Sequence, residues 1–547
     1  MASMDNRTAS LDTIQTVNVT NNFHTLEKVV TVSEASVKPD IEHAVVKDDP
    51  REWSKARKYV VVVMICAAAM IAGLGGNIYN PAIAQIEADL HATSGQLSLT
   101  VSLFILIQGG FPVFWSAISE IQGRKVVYLA SITLCTLGCI VSACSKTVDV
   151  LIGMRCMQAA GASAVVTIGA ATLADLFEPS ERGKMMGIYL CAPLLGPSLG
   201  PVLGGILTQA FNWRATFWFL VIFTGLCAVS FIFFKDTFRQ ERSLTYQSVV
   251  KKHQMQEVKH LEAQSHALTH LRELPKMAHP ETEAKEGIAS SASTIVEVDT
   301  EAQVPSRKGV APLKEVPLTW RDVNPVGPIV QVLRRWNNDV IILASALLFA
   351  FEYSIMYTAS LTLARVYHYD ALKIGLVLLA FGSGCLLGSI LGGRYSDYIL
   401  EQMKTKNGGK SSAEMRLQST MVPMIFFPFT VVAYGWVCEK HVHIAAVCVM
   451  LFLAGFFMIC IYTSTLAYIV DANTGRSSSA VATNSCVRGL FGFVATEVAV
   501  PLQNAIGDGG LYSMWAGLMV VADLLILLVW WKGGQWREKA AAREASR

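Results

Sequence analysis

The chain is short of charge. Only 16% of its 547 residues are Asp, Glu, Lys or Arg, against roughly 25% in an ordinary soluble protein, while 52% are hydrophobic. A soluble chain of this length would form about three or four domains, each needing a charged coat. The charges instead gather in an N-terminal tail, a long central segment and a short C-terminal tail. No coat is available, and a soluble enzyme is excluded. A strong net charge is also missing. At +3, with basic residues not clustered around aromatics, the composition argues against a nucleic-acid partner. None of the twelve cysteines forms a CxxC pair, and most sit in apolar runs, among them Cys66, Cys135, Cys139, Cys156, Cys191, Cys227, Cys448 and Cys460. They read as small core hydrophobes, not as a disulfide framework or zinc site. The Ser/Thr/Asn-rich stretch 1–57 lacks an apolar h-region, so no cleaved signal peptide is expected.

What is there is long apolar runs. A helix needs about 20 apolar residues to cross a hydrocarbon core roughly 30 Å thick. Such runs lie near 59–80, 97–119, 126–145, 150–174, 185–210 and 215–234, and again near 340–363, 374–393, 417–437, 443–470, 478–502 and 511–531. Backbone groups in lipid must be satisfied within the segment, so these are read as helices. The expected fold is an all-α integral membrane protein of twelve transmembrane helices in two pseudo-symmetric six-helix halves. The expected parts are a disordered polar tail (1–57), an N-terminal half (58–234), a polar central loop (235–338), a C-terminal half (339–531) and a final tail (532–547). Lys and Arg concentrate before the first span, in alternate loops (Arg124, Lys125, Arg182, Lys184, Arg394, Lys404, Arg416) and after the last span. The bias places both termini and the central loop in the cytoplasm. Within that loop, residues 249–274 carry apolar side chains at helical spacing, which suits a surface helix on a solvated connector.

The two halves share a pattern. Ser119-Glu120 and Gly123-Arg124-Lys125 follow the second span, and Gly392-Gly393-Arg394-Tyr395-Ser396-Asp397 follows the eighth. Each reads as a small-residue turn with an acid that can accept from a helix N-terminus or pair with Arg, forming a conformational latch. Gly196, Gly200 and Gly204 recur every four residues with Pro197, Pro201 and Gly205 beside them. A glycine stripe lets another helix approach closely, and proline can bend the helix. Its plain reading is ordinary packing; its functional one is a seam at the boundary between halves. Arg155 lies within the fourth run, where a charge costs at least about 2.5 kcal/mol, so it either snorkels or faces a cavity or partner. Glu352 falls mid-way along the seventh span, as a proton carrier or as a protonated structural acid. Glu497 shares the eleventh span with Asn484 and Arg488, as a structural pair or as transport residues, and Asp523 has no evident partner. Phe349, Phe351, Tyr353 and Tyr357 flank Glu352, and Gln158 lies one turn from Arg155. Gly408-Gly409-Lys410-Ser411 lacks the first glycine of a P-loop. The pair His441 and His443 is too bare for a metal site.

These motifs carry a resemblance. Gly123, Arg124 and Lys125 match the loop motif of the major facilitator superfamily, with Glu120 replacing its Asp, Ser116 its first Gly and Ile121 its first Arg. Leu151-x-x-x-Arg155-x-x-Gln158-Ala159-x-Gly161 resembles that family's fourth-span motif, and Gly196 to Gly205 its antiporter motif in the fifth span. Asp175 to Gly183 is similar to its fourth-to-fifth loop, and Tyr468 to Asn484 resembles the fungal twelve-span drug:proton antiporters of the quinidine-resistance type. The resemblance implies a major facilitator fold with the site at mid-membrane, and a secondary efflux transporter that is not an enzyme. It further implies a proton gradient as energy source, no cofactor or metal, and a plasma- or vacuolar-membrane setting. Arg155 and Glu352 are then the proton-coupling pair, and Gln158, Phe349, Tyr353, Tyr357, Asn484 and Arg488 line the substrate cavity. The substrate is a small organic molecule, either a drug or an endogenous metabolite such as a glycolipid. An organic-acid or polyamine carrier and a non-transporting receptor stand as alternatives. No protein partner beyond the lipid bilayer is required.

Overall fold

A computed structural model describes residues 46, 48–239, scattered positions between 246 and 259, 326–408, 412–473 and 476–545. Most of the N-terminal tail and of the central loop, including much of the expected surface helix, lies outside the described residues.

The N-terminal half is α1 (Lys55–Asn77), α2 (Ile83–Leu90), α3 (Ser94–Gly110), α4 (Pro112–Gln122), α5 (Arg124–Ala143), α6 (Val148–Leu176), α7 (Pro179–Ala210) and α8 (Arg214–Ile232). The C-terminal half is α9 (Val326–Leu333), α10 (Trp336–Arg365), α11 (Ala371–Lys406), α12 (Met421–Glu439), α13 (Ile444–Ala472) and α14 (Ser477–Ala545). Among the described residues eleven helices are long and apolar enough to cross a membrane, and the last of these is 66 residues long. At 1.5 Å per residue that is about 99 Å, three times a bilayer core. It is two spans: Gly507, at φ 72° and ψ 175°, breaks α14 into two arms. The count is then twelve, in two sets of six.

The boundaries follow local chemistry. Ser54 caps α1 and Asp370 caps α11 through side-chain acceptance of backbone N–H groups. Thr93 and Gln96 form a capping box at α3. Pro112 opens α4, where its missing N–H is no loss, so α3 and α4 together make the second span. Two expectations change. The turn expected at Gly392-Gly393 is absent: α11 runs unbroken to Lys406, and Gly392 instead packs against Cys460 of α13. The stretch after 531 continues as helix, with Trp536 against the C-terminal core and Glu544 accepting from Arg335 (2.8 and 2.7 Å) and Arg476 (2.5 Å). Likewise α1 already begins at Lys55.

Each half has its own apolar core, one built on α1 and α5 to α8, the other on α10 to α14. A third cluster joins them. Tyr79, Ile83, Ile86, Leu97, Val101 and Trp213 pack with Tyr357, Leu361 and Val500 at the end opposite the Lys/Arg-rich loops. Large apolar side chains such as Ile222, Phe233 and Phe429 stay exposed, as they should on a surface that meets lipid and not water.

Candidate functional site

Two seams hold the halves together. Along the first, α7 meets α11: a Cβ on Gly205 would collide with the Ala371 carbonyl, one on Gly375 with that of Pro201, and one on Gly382 with the Ser198 backbone. Along the second, α3 meets the first arm of α14, where Gly109 and Gly489 bring their backbones together. Near the end opposite the basic loops, Ser98 (3.0 Å) and Ser102 donate to the Glu497 carboxylate, and Arg365 approaches Glu87 at 3.5 Å. Glu497 therefore bridges the halves and does not pair with Arg488. At the basic end the ion pairs of Arg124, Lys235, Arg239, Arg335, Arg416, Arg476 and Arg537 with Asp175, Asp48, Glu544, Asp397, Asp471 and Glu414 each stay within one half.

The glycine stripe turns out to face inward. Gly196 packs on Gly73 and Gly200 on Asn77 of α1, and Gly204 on Ile78 just beyond it, so the stripe's contact is with a helix of its own half. The boundary with the other half is made by the adjacent face of α7, through Pro197, Ser198, Pro201 and Gly205.

Between the seams lies a cavity of about 220 Å³. Glu352, Phe349 and Tyr353 of α10 and Arg488 and Ser485 of α14 line it, with Tyr462 of α13 and Asn77, Gln108, Ser163 and Thr167 from the N-terminal half. Arg488 lies against two rings, 4.0 Å from Phe349 and 4.3 Å from Tyr462, and its Nη1 donates to the Tyr462 hydroxyl. Its Nε is enclosed and unpaired. Glu352 makes no hydrogen bond among the described residues, so the cavity holds one acid and one base that do not touch.

Five expected site residues lie elsewhere. Arg155 is fully buried within the N-terminal half. Nη1 donates to the Gly75 carbonyl (2.8 Å) and to Gln158 (3.4 Å), Nε to the Thr100 carbonyl (3.4 Å), and the rings of Phe104 and Tyr79 stand 4.4 and 4.7 Å away. It neither snorkels nor touches an acid, and Gln158 is buried with it. Tyr357 belongs to the cluster joining the halves. Asn484 is buried with neither amide atom bonded. Phe351, also expected at the cavity, points into the C-terminal core against Phe427 and Trp515. Asp523 is buried with Oδ1 unbonded. His443 accepts from the Ala445 N–H and so caps α13.

The latch residues gather at the basic end with partners the sequence did not single out for them. Asp236 accepts from the backbone N–H groups of Arg124 (3.1 Å) and Lys125 (3.3 Å), capping α5, while Arg124 pairs with Asp175 at 3.1 Å. Lys125 Nζ donates to the Ile232 carbonyl at the end of α8 (2.7 Å). In the other half Arg416 bridges Asp397 (3.0 Å) and Asp471. The arrangement repeats: an Arg at or just before the start of the third spanning helix of each half pairs with an Asp at the end of the fourth. Glu120, the expected acid, makes no hydrogen bond among the described residues. Nearby, Lys235 donates to Asp48 and holds that carboxyl below its usual value.

Comparison with known proteins agrees with this architecture. The chain is 28% identical to MFS antiporter QDR3 of Candida albicans, over 90% of this chain and 80% of that one. It is 24% identical to quinidine resistance protein 3 of Saccharomyces cerevisiae, covering 90% and 84%, and 26% identical to citrate exporter 1 of Aspergillus niger, covering 90% and 89%. The solved D-xylose-proton symporter shares the fold, with a TM-score of 0.58 at 12% identity over 86% of this chain and 97% of that one. The description "Major Facilitator Superfamily" matches residues 65–496, most of the chain, and the protein belongs to that transporter superfamily.

Proposed function

We propose that the protein is a secondary active exporter that exchanges protons for small organic molecules by alternating access. The observation that carries this reading is Glu352, an unpartnered carboxylate in a cavity between two halves. Such a group can take a proton from one side and surrender it on the other as the halves rock about the cavity. The positive-inside bias sets the basic loops, both termini and the central loop in the cytoplasm, in the plasma membrane or the vacuolar membrane. The seams near the opposite end then make this the state closed toward the exterior. Relatives named for antiport, quinidine resistance and citrate export support outward movement of organic molecules, whether xenobiotic or made by the cell. A single acid in the cavity speaks against a polyamine. Arg488 in the same cavity is the observation that favours an organic acid as the second reading.

The test is purified protein in liposomes under an imposed pH gradient, offered quinidine, a glycolipid and citrate. Gradient-dependent accumulation that disappears in Glu352→Gln is the expected outcome. Transport indifferent to the gradient would refute proton coupling, and a protein that moves none of the panel would revive the receptor alternative.

A further inference from the structure

We propose that the cavity takes a small dipolar molecule, presenting an amine-type cation to Glu352 and a carboxylate to Arg488. This rests on reading the cavity as the substrate site, and it adds the chemical class of what binds there.

Opposite charges in one cavity ordinarily close on each other. Here Glu352 and Arg488 line the same cavity of about 220 Å³, and neither takes part in an ion pair among the described residues. Each is left without a charged partner inside a membrane-spanning helix, which is costly for a charged group. A molecule that carries both charges, set between them, satisfies both at once.

The shape of each end is specific. The rings of Phe349 and Tyr462 stand 4.0 and 4.3 Å from the Arg488 guanidinium, and Nη1 donates to the Tyr462 hydroxyl. No carboxylate of the described residues pairs with the guanidinium, whose planar donors match the oxygens of a carboxylate better than a lone hydroxyl or carbonyl. Glu352, when ionised, only accepts, so its complement is a proton or an N–H cation. Phe349, Tyr353 and Tyr462 supply an aromatic wall for the rest of the molecule.

The charge logic also suits exchange. The groups facing Glu352 are Arg488, the phenols of Tyr353 and Tyr462, and the Cys385 thiol of α11; of these only Arg488 is charged at neutral pH. An anion alone would bind at Arg488 together with a proton on Glu352, coupling the two in the same direction. A cation alone would leave Arg488 unmatched. A dipolar molecule puts its ammonium in competition with the proton, which is the condition for antiport, while its carboxylate rests on Arg488.

Three probes on one scaffold test this by equilibrium binding to the full-length protein in detergent. They are phenylalanine (dipolar), its methyl ester (cation only) and N-acetylphenylalanine (anion only). Wild-type protein should bind phenylalanine roughly 10-fold more tightly than either derivative, a comparison that needs no variant to fold. Glu352→Gln should bring phenylalanine level with the N-acetyl compound. Arg488→Gln should bring it level with the ester, and Arg488→Lys should lose most of the gain. Lowering the pH should weaken phenylalanine binding in wild type and leave Glu352→Gln unaffected. Equal binding of the three probes, or binding of none, overturns the proposal. The expected pattern without gradient-driven movement in liposomes would sink the exchange reading alone; quinidine or citrate transport with three equal probes would do the reverse.

Discussion

The two arginines inside the apolar spans have opposite surroundings. Arg155 is closed in by carbonyls and rings of its own half, whereas Arg488 opens on the cavity. Lysine keeps the charge but cannot span two carbonyls while lying between two rings. Arg155→Lys should therefore lower thermal stability in detergent by about 2 kcal/mol and leave substrate affinity nearly unchanged; a large loss of affinity with stability intact would refute this division of roles. Gly123 is a second position with a sharp outcome. Its φ of 90° and ψ of 173° belong to glycine, and a Cβ there would collide with the Asp236 carboxylate that caps α5. Gly123→Ala should cost about 1–3 kcal/mol, read as a lowered melting temperature by thermal shift. Much of this was legible beforehand. A charge in an apolar run stands out because it is expensive, and that picks out Arg155, Glu352, Arg488 and Glu497. Their partners did not stand out. Asp236 caps α5 from beyond α8, and Gln108, Asn77, Ser485 and Tyr462 look in sequence like the polar residues any helix interface uses.

At the scale of elements, α7 works on two faces. One carries Gly196, Gly200 and Gly204 against α1 and is fixed packing within a half; the next carries Ser198 and Gly205 against α11 and moves if the halves move. Periodicity showed the stripe but could not show which helix it meets, because spacing along one helix holds no information about its neighbour. Bulk on the two faces should act differently. Gly204→Val would strike Ile78 and cost about 1–3 kcal/mol of stability, visible as poor yield and early melting. Gly382→Val, striking Ser198 across the seam, should fold and bind substrate yet transport slowly in liposomes. Identical behaviour of the two would show that α7 has no such division. The end of α11 teaches a related lesson. Paired glycines suggest a turn, but with no proline and no positive φ the helix continues and the glycines serve close approach to α13.

For the whole molecule, the described contacts between halves gather from mid-depth to the end opposite the basic loops, while the ion pairs of the basic end staple each half to itself. Opening one end therefore costs the Glu497 contacts and the apolar cluster around Tyr79 and Tyr357, and leaves the staples whole. Glu497→Gln weakens two charge-assisted bonds of roughly 1.5–3 kcal/mol each, which is enough to shift a two-state population 10-fold or more. Spin labels placed on α2 and near Arg365 should report a longer-distance population in the variant; an unchanged distribution would show that Glu497 does not govern that end.

The wrapping of Arg155 also bears on how the chain is made. The carbonyls that receive its guanidinium, Gly75 on α1 and Thr100 on α3, precede α6 in the chain, as do Ser98 and Ser102 relative to Glu497. Synthesis from the N-terminus delivers each acceptor or donor to the membrane before the charge that needs it. For Arg155 and Glu497, then, the chain order sets the partner in place before the charge that uses it.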